Sequence, residues 1–235
     1  GWRLHAGLAL TQYAVILLPV LAALWFGKIN FARALNLQAP SGLGLIGTIL
    51  IAPAWTVIGI EIGLIQSRLL PPPAELAQIS EKLFDVSALP GGVLTLLAIV
   101  ALSPHICAEA LFRGVLLSGR RRRLPAWVTI LAVGVLFGAF HLSVHRFLPT
   151  ALSGILFTYL AVRTGSIVCP AIAHFALNGL AILVETKSLP DAILEPFHAI
   201  DPTGGHVPLP WFAGAVLLMC VGLAFVETGA RRRSG

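Results

Sequence analysis

Residues 93–117 read VLTLLAIVALSPHICAEALFRGVLL, and the fold follows from this run. It is long enough to cross a bilayer, which takes about 20 mainly apolar residues in a helix. Yet His105, Glu109 and Arg113 stand inside it. Ionisable groups are expensive in hydrocarbon, so they occur there paired, facing a bundle interior, and at functional positions. Glu109 and Arg113 are four apart, on one helix face, where each offsets the cost of burying the other. The segment predicts a membrane helix whose polar face is turned toward other helices of the same chain.

The remaining sequence supplies those helices. Of 235 residues, 57% are hydrophobic and 11% charged, with a mean hydropathy of +0.90. A soluble domain carries about 25% charged residues. The net charge of +6 resides in basic residues that flank apolar runs, a membrane-topology pattern. No basic stripe interleaves with exposed aromatics, so nucleic acid is excluded as a partner. Cys107, Cys169 and Cys220 lie far apart in apolar segments and read as small buried hydrophobes, without a disulfide framework. Met219 is the only methionine, so the chain is expected to be part, or a processed form, of something longer.

On the 20-residue ruler seven spans are expected, at about Leu4–Phe26, Leu43–Ile65, Val93–Leu117, Ala126–Val144, Phe147–Val162, Ser166–Val184 and Leu209–Val226. After Pro71-Pro72-Pro73, the stretch Ala74–Leu89 places Leu76, Ile79, Leu83 and Phe84 on one helical face and predicts an interfacial helix. The fold class is therefore all-α, a polytopic transmembrane bundle forming one domain over residues 1–235, with no internal repeat. Alternate loops divide the basic residues unevenly. One side receives Lys28, Arg33, Arg120 to Arg123, Arg163 and Arg231 to Arg233; the other receives Arg3, Arg68, Lys82, Arg146 and Lys187 with most of the acids, Asp201 among them. The positive-inside rule then puts the N-terminus outside and the C-terminus in the cytoplasm of a cell membrane. Thirteen arginines against three lysines hint at a bacterial source.

Other spans also hold polar residues: Glu61 in the second, His141 in the fourth, His174 and Asn178 in the sixth. Phe137 and His141 are four apart, as are His174 and Asn178, so each pair shares a face. The inventory suits hydrolysis within the bilayer: a carboxylate and a histidine to take a proton from water, and His and Asn to stabilise the oxyanion. No serine stands in a G-x-S-x-G setting.

The three motifs are Ala108-Glu109-Ala110-Leu111-Phe112-Arg113-Gly114, Phe137-Gly138-Ala139-Phe140-His141, and His174-Phe175-Ala176-Leu177-Asn178. In order and spacing they resemble the motifs of the CAAX-protease and bacteriocin-processing (CPBP, or Abi) family of intramembrane glutamic endopeptidases, Glu-Glu-x-x-x-Arg, Phe-x-x-x-His and His-x-x-x-Asn. The resemblance covers about residues 93–183. It implies a peptidase, without cofactor, acting on a peptide or protein substrate cut near the membrane, with membrane lipid around it. It assigns water activation to position 108 with His141, the oxyanion hole to His174 and Asn178, and a supporting role to Glu109 and Arg113.

Position 108, however, is alanine where the family has its first glutamate. A methyl group accepts no proton, and losing a catalytic group costs about 10²–10⁴ in rate. Three readings stay open: an inactivating substitution, use of Glu109 as the base instead, or a catalytically silent membrane subunit that binds a protein partner. Neighbouring helical residues point about 100° apart, so Glu109 serves as base only if the helix is locally irregular, as Ser103-Pro104 allows. If the four candidates act together, Glu109, His141, His174 and Asn178 converge on one cavity. A zinc site from His141, His145 and His174 is the remaining hydrolytic reading, weakened by the lack of an HExxH motif. The segment from Glu185 to Pro208, with Pro190, Pro196, Pro202, Gly204, Gly205, His198 and His206, is expected to be a solvated connector.

Overall fold

The structure is a computed structural model that describes residues 2–87, 89–120, 124–198, 200 and 205–234. Arg121, Arg122, Arg123, Asp201, Pro202 and Gly204 of the sequence reading lie outside the described residues. Every element among the described residues is helical. In chain order they are α1 (Trp2–Phe26), α2 (Phe31–Ala34), α3 (Gly42–Leu69), α4 (Ala74–Phe84), α5 (Val93–Leu116), α6 (Ala126–Ala139), α7 (Val144–Thr164), α8 (Val168–Glu185), α9 (Asp191–His198) and α10 (Leu209–Ser234).

Six of these, α1, α3, α5, α7, α8 and α10, are long and apolar enough to cross a membrane. The chain is a multi-pass membrane protein. Their outward faces are apolar, with Trp25, Phe26 and Leu217 largely exposed, as expected where lipid rather than water covers the surface. The core lies where α3, α7, α8 and α10 meet, around Ile51, Phe157, Leu160, Cys169, Ala173 and Val226. The α5 helix is held between α1 and α8.

The fourth expected span is shorter than read. The α6 helix has 14 residues, a rise of about 21 Å, against about 30 Å of hydrocarbon. It stops at Ala139, and α7 starts at Val144 rather than Phe147. The cause is local. The His141 ring donates from Nδ1 to the Phe137 carbonyl (2.8 Å), while the His141 backbone N–H turns to Gly138 (3.2 Å). Leu142 then reverses the chain at φ 49°. Gln66 of α3 braces the restart, donating to the Val144 carbonyl (2.6 Å) and accepting from Leu148 N–H (3.1 Å). His141 thus sits in a turn between two helices, not within a span.

The amphipathic α4 ends at Phe84 rather than Leu89. Leu76, Leu83 and Phe84 are half-buried, but Ile79 is exposed, so the predicted apolar face is only partly covered. The connector of the sequence reading is partly helical, as α9, and its far end is anchored: His206 pairs with Glu61 (2.5 Å), whose second oxygen accepts from Val207 N–H (2.8 Å).

Small residues allow α6 and α7 to approach closely. A Cβ at Gly134 would stand 2.6 Å from the Ile155 nitrogen, and one at Gly138 would stand 2.6 Å from the Ala151 Cβ. Gly134→Ala is therefore expected to destabilise the protein by about 1–3 kcal/mol through overpacking. Thermal unfolding in detergent checks this, with Gly7→Ala, where nothing lies within 4 Å, as the neutral control.

Candidate active site

The α5 helix is not regular. Its middle, Ser103–Glu109, is α-helical, but Leu97–Leu102 and Ala110–Leu116 are wound more widely, with π-type turns. Such turns are rare and concentrate at functional sites. Pro104 has no N–H to give the carbonyl four residues earlier. That carbonyl, of Val100, instead accepts from Asn178 Nδ2 (3.2 Å). A proline in one span thereby fixes the side chain of an asparagine in another.

The polar face of α5 meets α7 and α8. Arg113 is fully buried and donates from Nη1 to Glu109 Oε1 (2.9 Å) and from Nη2 to the Gly154 carbonyl (3.0 Å). Its guanidinium carbon lies 4.5 Å from the centre of the Phe137 ring, a favourable cation–π placement. Glu109 Oε1 also receives His174 Nδ1 at 3.0 Å. The His174 ring stacks on Phe157, with centroids 5.1 Å apart and planes at 25°.

Alongside this cluster runs a cavity of about 420 Å³, within the size range of small-ligand sites, about 300–1,000 Å³. Ala108, Phe137, His141, His174 and Asn178 all line it. Phe137 stands between the two imidazoles, its ring centre 5.1 Å from that of His141 and 5.6 Å from that of His174. Glu109 is not on the lining. Consecutive helical residues diverge by about 100°, and here Ala108 turns toward the cavity while Glu109 turns into the ion-pair cluster. The expectation that Glu109 would join the other three on one cavity is corrected on this point, even though α5 has the irregular winding that such a move would need.

The hydrogen bonds fix which ring nitrogens are available. A carbonyl only accepts, so His141 Nδ1 carries its proton, leaving Nε2 with the lone pair in the neutral ring. His174 likewise donates from Nδ1 to the Glu109 carboxylate, so its Nε2 donates only when the ring is doubly protonated. Asn178 uses one Nδ2 hydrogen on Val100 and keeps the second.

Residues 90–180 match a family model described as Type II CAAX prenyl endopeptidase Rce1-like. The middle of this chain is similar to that family. The match agrees with the resemblance to the CPBP family over that segment, which is similar to membrane endopeptidases of the CAAX-protease type. No curated protein and no solved structure matches the chain. The Rce1-like segment contains all three motifs, and its edges fall at the start of α5 and within α8.

Several cavity residues were not marked by the sequence reading. Gln12 of α1 lines the cavity with its Oε1 buried and without a hydrogen-bond partner among the described residues; as an amide within a span it carried a legible signal. Arg146 lines it from the first turn of α7. Phe157, which stacks on His174, looks like any core phenylalanine in sequence. His145 points elsewhere, donating to the Leu70 carbonyl (3.3 Å), and no group of three His, Cys, Asp or Glu side chains suited to a metal occurs among the described residues.

Replacing Glu109 with leucine strands the buried Arg113 charge. A loss of about 3–5 kcal/mol is expected, and clearly less for the double variant Glu109→Leu/Arg113→Leu, which leaves no lone charge. Unfolding in detergent micelles measures both, and equal losses would contradict an energetically coupled pair.

Proposed function

We propose that this protein is an intramembrane endopeptidase of the CPBP/CAAX-protease type that hydrolyses a peptide bond near the membrane, and that this chain is impaired because Ala108 occupies the place of the water-activating glutamate. The observation that carries the reading is the shared cavity wall of Ala108, His141, His174 and Asn178. In the reaction, water gives a proton to a base and adds to the substrate carbonyl. The second Nδ2 hydrogen of Asn178 and a doubly protonated His174 donate to the oxyanion. When the tetrahedral carbon collapses, the C–N bond breaks and the amine takes the proton back. Here His141 Nε2 is left to act without a carboxylate beside it. Glu109 holds His174 and Arg113 in place instead of touching substrate. No cofactor takes part in this scheme, which is set in a cell membrane, with the N-terminus outside when α6 counts as a crossing.

A second reading, a catalytically silent membrane subunit that binds a protein partner, is favoured by the same alanine together with the commitment of Glu109 to Arg113 and His174. The two readings part on one substitution. Ala108→Glu is expected to raise cleavage of a membrane-proximal peptide substrate at least about 10²-fold over the chain as it stands, the lower end for a positioned acid–base group. Paired assays in membranes measure this. Cleavage by neither form, with a protein retained on gentle purification, favours the silent subunit. Cleavage by the present chain that is lost in Glu109→Gln with folding intact returns the base role to Glu109.

A further inference from the structure

The cavity's own charges suggest what enters it. Its ionisable lining residues are Arg146, His141 and His174, and no described Asp or Glu lines it. Arg146 has neither an ion pair nor a side-chain hydrogen bond among the described residues, although it sits at the start of α7, one turn from the His141 bend. Behind the wall, the single carboxylate of Glu109 is already shared by Arg113 and His174. A glutamate at position 108 would put an acid on the wall itself. With alanine there, the cavity offers donors and positive charge with no acid of its own.

Two further features narrow the ligand. Most of the wall is apolar, with Ile16, Phe84, Ile99 and Leu177 among its residues. The buried, unpartnered Oε1 of Gln12 calls for a hydrogen-bond donor, which a backbone amide supplies and an ionised fatty acid or a lipid phosphodiester does not.

We infer that the cavity takes an apolar peptide segment bearing one carboxylate side chain, Asp or Glu, which fills the space in front of Ala108 and is held by Arg146 at the mouth. The ligand brings the acid that the chain lacks. This deepens the peptide-binding reading of the cavity and rests on it.

The test uses the full chain in phosphatidylcholine nanodiscs and two fluorescent apolar peptides that differ only in one central residue, Asp or Asn. The Asp peptide is expected to bind about tenfold more tightly, the worth of one charge-assisted hydrogen bond. Arg146→Gln should remove the preference for the Asp peptide, and Arg146→Glu should reverse it. Ala108→Glu, which puts an acid into the cavity, should also weaken the Asp peptide selectively. Equal affinities of the two peptides for the unaltered chain overturn the carboxylate inference and leave the peptide-binding cavity standing. Binding of neither overturns both. If nanodiscs containing phosphatidylglycerol abolish the Asp preference, the anion held by Arg146 is a lipid headgroup and the inference fails.

Discussion

The Glu109 carboxylate is the interaction on which the candidate site depends. One oxygen accepts from both Arg113 and His174, tying α5 to α8, and Arg113 extends the tie to α7 through the Gly154 carbonyl. A fully buried guanidinium is tolerable only with such partners. The aromatic rings of Phe112, Phe137 and Phe157 close around it, excluding water and strengthening each electrostatic contact. The same group that makes burial possible also orients the His174 ring, so support and chemistry share one anchor.

Around that anchor the backbone departs from regularity in two places, each with a visible cause. Pro104 frees the Val100 carbonyl for Asn178. The His141 side chain takes the Phe137 carbonyl at the point where α6 ends. Non-helical backbone at membrane depth is tolerated where it is buried in protein or lines a cavity, and the His141 turn borders one. The α6–α7 hairpin that presents His141 is held tight by Gly134, Gly138 and Gly154, positions at which a Cβ would meet the opposite helix.

A methyl group at position 108 changes the character of this site more than its shape. The wall presents the imidazoles of His141 and His174 and the amide of Asn178, and no described carboxylate. What remains is a mainly apolar cavity with Arg146 among its lining residues. Retention of a fold and retention of its chemistry are separate matters.

The class of fold was determined by sequence alone, because crossing hydrocarbon requires apolar runs of a set length whatever the packing. Residues 93–117 and six other runs were read as satisfying that requirement, and all but the run at Ala126–Val144 fold as helices long enough to cross. The motif residues were legible for the same reason: Glu109, Arg113, His141, His174 and Asn178 are conspicuous in apolar surroundings. Span ends were less legible, since a side chain competing for a carbonyl, as His141 does, ends a helix without a change in hydropathy. Only the tertiary structure decided which of Ala108 and Glu109 faces the cavity. Adjacent residues differ by a fixed angle on the helix, but the absolute rotation of α5 is set by where Arg113 finds Gly154 and the phenylalanine rings, on helices far away in sequence. Arg146 and Phe157 join the site through the same long-range packing, which no local pattern encodes.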